Sequence, residues 1–214
     1  PAEVTASDGN LVGHMIPAPE QGTVLSPSRL ELWAGCPFRY FLSQVLRLAE
    51  RDDPEREVEL NPAERGTLVH HILEQLFGEV LQRTEGPPAP TQPWTETDRA
   101  RMVELAHVAF VAVEKRGITG RPLTWRRTKA DVLADLDRFL TKDDEHRRDG
   151  GLVPASVEMS FGHGDELPVA IALRSGRTLR FRGTVDRVDR TADGAVTVID
   201  YKTGSASKFK QLDA

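Results

Sequence analysis

The stretch Val198 to Gly204 reads VIDYKTG. A hydrophobic run ends there in an acid, an aromatic, a base and a glycine. Asp200 and Lys202 are two residues apart, and alternate side chains of a strand share one face. A carboxylate and an ammonium therefore stand side by side where a sheet should bury apolar groups. Another acid, Asp186, lies on the preceding run, FRGTVDRVDR. If the two runs pair so that Asp186 meets Asp200, they create two hard oxygen ligands and a cation. Mg2+ and Mn2+ prefer such oxygens. A divalent ion with a lysine beside it stabilises an attacking hydroxide and the charge of a pentavalent phosphate.

Whether the two acids meet depends on the turn RTADGAV. A two-residue Asp193–Gly194 turn pairs Ala192 with Ala195 and sends Asp186 and Asp200 to opposite faces. A three-residue loop, Ala192–Asp193–Gly194, pairs Thr191 with Ala195. Asp186 then opposes Asp200, Val188 opposes Val198, and Thr184 opposes Lys202. The valine match favours the second register. It brings the two carboxylate-bearing Cβ atoms to roughly 4.5–5.5 Å. Like charges in that position repel, and a divalent cation offsets the repulsion. The plainer alternative is a hairpin whose acids are solvated. In that case the chain would be an interaction domain with no chemistry at this place.

A histidine is the next candidate. NPAERGTLVHHILEQLFGEVLQ (61–82) has the strongest helical pattern in the chain. Asn61 suits the N-cap, Pro62 the first helical position, and Glu64 a capping box. Val69, Ile72, Leu73, Leu76 and Val80 make the face to be buried. On that wheel His71 points away from the core. His70 sits at the edge of the apolar stripe, where a ring can lean over a sheet and keep one nitrogen free. One turn earlier, Gly66 leaves room for a backbone or a ligand.

These residues need elements to hold them. Residues 1–24 read as an extended arm, and the domain proper spans 25–214. Ser26 and Pro27 suit a helix start. Leu30, Trp33 and Ala34 form a stripe, GCP at 35–37 breaks it, and FRYFLSQVL restarts helix. Residues 50–60 read as a charged linker and 86–94 as a proline-rich loop. Two more amphipathic helices are predicted over 96–116 and 124–147. Then the period changes. ASVEMSFG, LPVAIAL, TLRFRGTVDRVDR and AVTVIDYKTG alternate with period two and read as strands. Helices first and strands after predict an α+β fold. Its helices flank a central mixed sheet of about four strands.

The totals set outer limits. With 214 residues, 39% hydrophobic and 29% charged, the chain can bury one sizeable core. The formal net charge is −5 and the pI about 5.7. That argues against coating nucleic acid by bulk charge, though not against binding it in a narrow cleft. No apolar run approaches the ~18 residues of a membrane span, so no membrane partner is expected. One cysteine, Cys36, rules out a disulfide framework and suits a reducing, cytoplasmic setting.

The combination resembles a known family. GTLVH in a helix, then RGTVDRVDR and VIDYKTG, look like the nuclease domain of RecB-type and AddAB/AdnAB-type recombination nucleases. These belong to the PD-(D/E)xK superfamily. SPSRLELWAGCPFRYFL is similar to the segment leading into such domains. The resemblance covers most of residues 25–214 and implies a restriction-endonuclease-like core, truncated at its C-terminal end. It implies that His70, Asp186 and Asp200 are metal ligands for Mg2+ or Mn2+, and that Lys202 is the catalytic lysine. Gln211 matches the glutamine of a QxxxY helix whose tyrosine is expected just after Ala214. Glu158, in SVEMSF, sits where relatives keep an acid, as a ligand or as support. Arg187 and Tyr201 fall on the other face, as packing or bracing. Cys36 is similar to the first ligand of an iron–sulfur staple. A [4Fe-4S] cluster needs four thiolates, so it is expected only in a longer parent.

The function this implies is metal-dependent hydrolysis of DNA, as an exonuclease, within a helicase–nuclease that processes DNA ends in recombinational repair. DNA and a helicase domain or subunit are the implied partners. The rival is a nuclease-like module without catalysis that guides DNA or docks a helicase.

Overall fold

The computed structural model describes residues 24–48 and 59–204. The arm expected over 1–24, most of the charged linker, and Gln211 lie outside the described residues. The chain clusters into two compact units. Among the described residues the first takes in 24–48 and 160–184, and the second 59–159 and 185–204.

The first unit begins with a short strand, β1 (Val24–Leu25), and helix α1 (Pro27–Gly35). Ser26 is the N-cap of α1 and Pro27 its first residue, as the sequence predicts. Cys36 then breaks the helix in extended conformation and starts α2 (Pro37–Tyr40), its Sγ accepting from the Arg39 N–H at 3.4 Å. A π-helical turn (Phe41–Val45) follows. The strands of this unit are β3 (Val169–Ala172) and β4 (Thr178–Phe181). β1 runs parallel to β4, and β3 antiparallel to it, giving the order β1-β4-β3.

Three helices make the body of the second unit: α3 (Pro62–Leu81), α4 (Glu96–Arg116) and α5 (Pro122–Gly150). The five residues assigned to the buried face of α3 are all buried, together with Leu68 and Phe77. Leu76, Phe77 and Val80 expose nothing. Met102, Ala106 and Phe110 of α4 and Val132, Leu136 and Leu140 of α5 close the same core. Each large side chain so buried contributes about 1.5–3 kcal/mol. Asn61 caps α3 by accepting from the Ala63 N–H at 2.8 Å. The capping box expected at Glu64 is not formed. Both its oxygens go to Arg116 at the end of α4, at 2.7 and 2.9 Å. A bidentate guanidinium holds a carboxylate better than one backbone N–H does. The capping box of this unit is on α4 instead, between Thr95 and Asp98.

Against the helices lies a second sheet of order β2-β5-β6, made from β2 (Val153–Phe161), β5 (Gly183–Arg190) and β6 (Val196–Ile199). Val157 and Ile199 reach the helical core from it. The fold class is α+β as expected, but the strands form two three-stranded sheets where one of about four was predicted. The division falls at one residue. TLRFRGTVDRVDR, read as one strand, is divided at Arg182, whose N–H turns to the Leu25 carbonyl at 2.9 Å. Thr178–Phe181 thereby joins β1, and the acid-bearing half is a separate strand.

The turn between β5 and β6 has the three-residue form. Thr191 N–H bonds the Ala195 carbonyl, and Gly194 N–H the Thr191 carbonyl, each at 3.0 Å. Gly194 has φ 88°, which glycine adopts without a Cβ clash. Val188 faces Val198 and Arg187 faces Ile199.

Candidate active site

β6 ends at Ile199, one residue short of Asp200, and the chain continues without ladder pairing. What keeps it beside β5 is a side chain. Asp186 accepts the Tyr201 N–H on Oδ2 at 2.6 Å. Its other oxygen, Oδ1, lies 3.4 Å from Nδ1 of His70. His70 reaches the same place from α3, with Nε2 2.7 Å from the Tyr201 carbonyl oxygen. A carbonyl only accepts, so Nε2 is the donor in that contact. His70 stands at the half-buried edge of the α3 stripe, while His71 is exposed and lies near Glu74. The edge position read from the helical wheel is where the ring meets the sheet.

Around these groups is an open pocket of about 640 Å3, lined among others by His70, Glu74, Glu158, Asp186, Tyr201 and Lys202. Gly66 lines it too. A Cβ there would meet only Thr203 Oγ1, at 3.5 Å, so the glycine leaves open space in the pocket. Glu158 is on β2 with φ 45°, the left-handed region, in the middle of a strand. Such a conformation at a glutamate costs about 1–3 kcal/mol and is usually found where function requires it. Burial raises the Glu158 carboxyl pKa above its ordinary value; Glu74 and Asp186 add to this, and His70 opposes them.

Asp200 and Lys202 face each other. Lys202 Nζ is 2.6 Å from Oδ2 and 2.9 Å from Oδ1 of Asp200, and both side chains are more than half exposed. Lys202 lines the pocket and Asp200 does not. The structure thus brings together His70, Asp186, Glu158 and Lys202 and leaves Asp200 at the rim, on Lys202. Tyr201 and Arg187 are buried, as the bracing role predicts. Cys36 is exposed in the first unit.

Among the described residues no three His, Cys, Asp or Glu side chains are grouped closely enough to hold a metal ion. Two donors meet, Asp186 Oδ1 and His70 Nδ1; the Tyr201 carbonyl oxygen is taken up by the other ring nitrogen, Nε2. Neighbouring ligands of an octahedral ion with bonds of ~2.1 Å lie ~3.0 Å apart. The 3.4 Å between Nδ1 and Oδ1 is close to that spacing. A carboxylate oxygen and an imidazole nitrogen are donor types that Mg2+ or Mn2+ accepts. Two contributors escaped the sequence reading. Glu74 follows His70 by one helical turn, and that i,i+4 spacing was a readable signal. The Tyr201 carbonyl is main chain and carries no signal in residue types.

Comparison with known proteins matches the chain to a family. The family model of the PD-(D/E)XK nuclease superfamily matches residues 24–214. The chain belongs to that superfamily, as its three motifs suggest. It is similar to the ATP-dependent helicase/deoxyribonuclease subunit from Anoxybacillus flavithermus, 29% identical over 195 residues, covering 88% of this chain and 16% of that one. The protein of the same name from Moorella thermoacetica is 32% identical over 186 residues, 84% of this chain and 15% of that one. That from Clostridioides difficile is 29% identical over 191 residues, 86% and 16%. The chain therefore spans about a sixth of the length of these relatives. No helix among the described residues is long and apolar enough to cross a membrane.

Proposed function

We propose that this chain is the metal-dependent DNA-cleaving domain of a helicase–nuclease, acting as an exonuclease at DNA ends in recombinational repair. The observation that carries the reading is the meeting of Asp186 and His70 in one pocket that Lys202 also lines. The relatives' name supports DNA as substrate and a helicase as the associated activity.

Asp186 and His70 would hold Mg2+ or Mn2+, with the Asp200 carboxylate available two residues from Lys202. The ion, when bound, supplies a Lewis acid and an acidified water. Lys202 places an ammonium at the pocket, where it orients the attacking water and offsets the charge that grows on the phosphoryl oxygens. Asp186 and Glu158 bring carboxyl groups to the same pocket. Gln211 would contribute from the segment beyond the described residues. A [4Fe-4S] cluster with Cys36 as one ligand would need three further thiolates.

One observation favours a second reading. Asp200 is paired with Lys202 and turned from the pocket, as in a module that guides DNA or docks a helicase without cutting. Mn2+ calorimetry on the wild type and Asp186→Asn, run beside a DNA-cleavage assay, separates the two. Binding lost in the variant together with cleavage supports the nuclease. Absent binding, or binding indifferent to Asp186→Asn, establishes the guiding module.

A further inference from the structure

The net charge of −5 is not spread evenly along the chain. Among the described residues of the first unit, seven arginines stand against three acids, Glu31, Asp165 and Glu166, which leaves that unit at a formal +4. None of the seven is in a salt bridge among the described residues. In the second unit, by contrast, Arg65, Arg83, Arg99 and Arg101 each hold a carboxylate. Unpaired arginines gathered on one small unit of an otherwise acidic chain are the footprint of a polyanion.

The same unit leaves its aromatic side chains uncovered. Neither α1, α2 nor the π-helical turn buries a single residue. Trp33 is 53% exposed, whereas Trp94 and Trp125 of the second unit are 3% and 6% exposed. Trp33, Tyr40 and Phe41 line one groove of about 490 Å3 together with Arg29 and Arg177, and the rest of its lining is apolar. Arg29 Nε donates to Gln44 Oε1 at 2.7 Å, which holds that guanidinium in place. A purely apolar partner has no use for the arginines, and a free phosphate has none for the rings. A nucleic-acid strand with unpaired bases uses both, since aromatic rings stack on bases and cations hold the backbone. A duplex keeps its bases inside the stack and offers the groove only phosphates.

We propose that this groove binds single-stranded DNA without regard to sequence: Trp33, Tyr40 and Phe41 stack on bases, and Arg29 and Arg177 hold phosphates. Every base has a π-face, so stacking tolerates any sequence. The choice of DNA rests on the nuclease reading. The groove itself lies wholly in the first unit, uses none of the residues that line the pocket of the second, and needs no metal.

The test titrates the 214-residue chain with an oligothymidylate of about 12 nucleotides in EDTA, where no metal-dependent cleavage intervenes. Trp33 is the exposed tryptophan, so stacking on it should quench the protein's fluorescence, and Trp33→Ala should abolish the quenching. Anisotropy of a labelled oligomer gives the affinities. Trp33→Ala should weaken binding roughly 5–150-fold and leave its salt dependence unchanged. Arg177→Gln should lower the slope of log K against log salt by about 0.7, the share of one phosphate contact. Both side chains are exposed, so neither variant empties a core. If Trp33→Ala fails to fold, Arg177→Gln decides alone through the slope. A wild type that binds no oligomer overturns the proposal and leaves the groove to a protein partner. Binding that neither variant changes overturns it too, as does equal affinity for a duplex of the same length. Cleavage is not read here, so a failure leaves the nuclease reading standing. A wild type that binds no Mn2+ sinks that reading instead, while the titration still decides the groove.

Discussion

Lys202, which lines the pocket, holds Asp200 at its rim, Nζ 2.6 Å from Oδ2. An ion pair this exposed contributes ~0–1 kcal/mol to stability, so either residue can be replaced without unfolding the chain. Their chemical roles should separate. Lys202→Ala is expected to lower the rate of metal-supported DNA cleavage by about 10²–10³-fold, the cost of losing one transition-state donor. Mn2+ binding should remain or tighten, because Asp200 is released. Asp200→Asn should weaken Mn2+ binding as well as cleavage. Calorimetry and a cleavage assay on the same samples check both, and equal loss of metal in the two variants would refute the division.

Asp143 joins three parts of the second unit. It accepts from Trp94 Nε1 at 2.8 Å, from Arg147 Nε at 3.1 Å and from Arg187 Nη2. Arg147 in turn donates to the carbonyls of Pro88, Ala89 and Gln92, which pins the proline-rich loop. Asp143→Ala leaves two fully buried guanidiniums short of a counter-charge. The expected loss is about 3–5 kcal/mol, measured by urea unfolding. A loss below ~1 kcal/mol would show that Asp144 and Asp189 carry the charges without it.

Asp98 gives a pH-dependent stability. Burial pushes its carboxyl up, but the Thr95 hydroxyl, the Arg83 guanidinium and the Thr95 N–H together hold it below the ordinary value. A carboxyl depressed in the folded state stabilises at pH above its unfolded pKa of ~3.9. That stability is lost as pH falls through the folded value. Asp98→Asn should therefore cost about 2 kcal/mol near pH 7, and the gap should close as pH falls through the depressed folded value. Thermal melts across pH 2.5 to 7 on the two proteins read this directly (about six points suffice). A gap that is constant with pH would contradict it.

At Glu158 conformation and chemistry pull apart. Glycine is at ease at φ 45° and glutamate is not. Glu158→Gly is expected to raise stability by about 1 kcal/mol while weakening Mn2+ binding. Glu158→Gln keeps the strain and should lose only the metal affinity. Should both variants bind Mn2+ like the wild type, Glu158 is neither ligand nor support.

Much of this was legible in residue types. The α3 stripe predicted five of the positions on that helix that became core, and left His70 at its edge. The valine pair Val188 and Val198 selected the hairpin register, because apolar side chains opposite one another gain where mismatched ones do not. Other features depend on distant partners. Glu64 looked like a local cap and is held by Arg116, fifty-two residues away. Arg187 was read as packing or bracing, but its partner, Asp143, meets it from α5, forty-four residues away. The division of one apparent strand at Arg182 depended on Leu25, far back in the chain. Local pattern predicts what neighbours in sequence decide. These three were decided by contacts that no window of sequence contains.

The site also has a part that genetics would pass over. The groups that bridge His70 and Asp186 are the N–H and carbonyl of Tyr201, and ordinary substitutions leave both in place. A scan of replacements at position 201 would report on the ring and the phenol alone. Only proline removes the N–H, and an ester bond introduced by chemical synthesis would remove it without touching the side chain. Tolerance of substitution at position 201 would thus be no measure of how much the pocket depends on it.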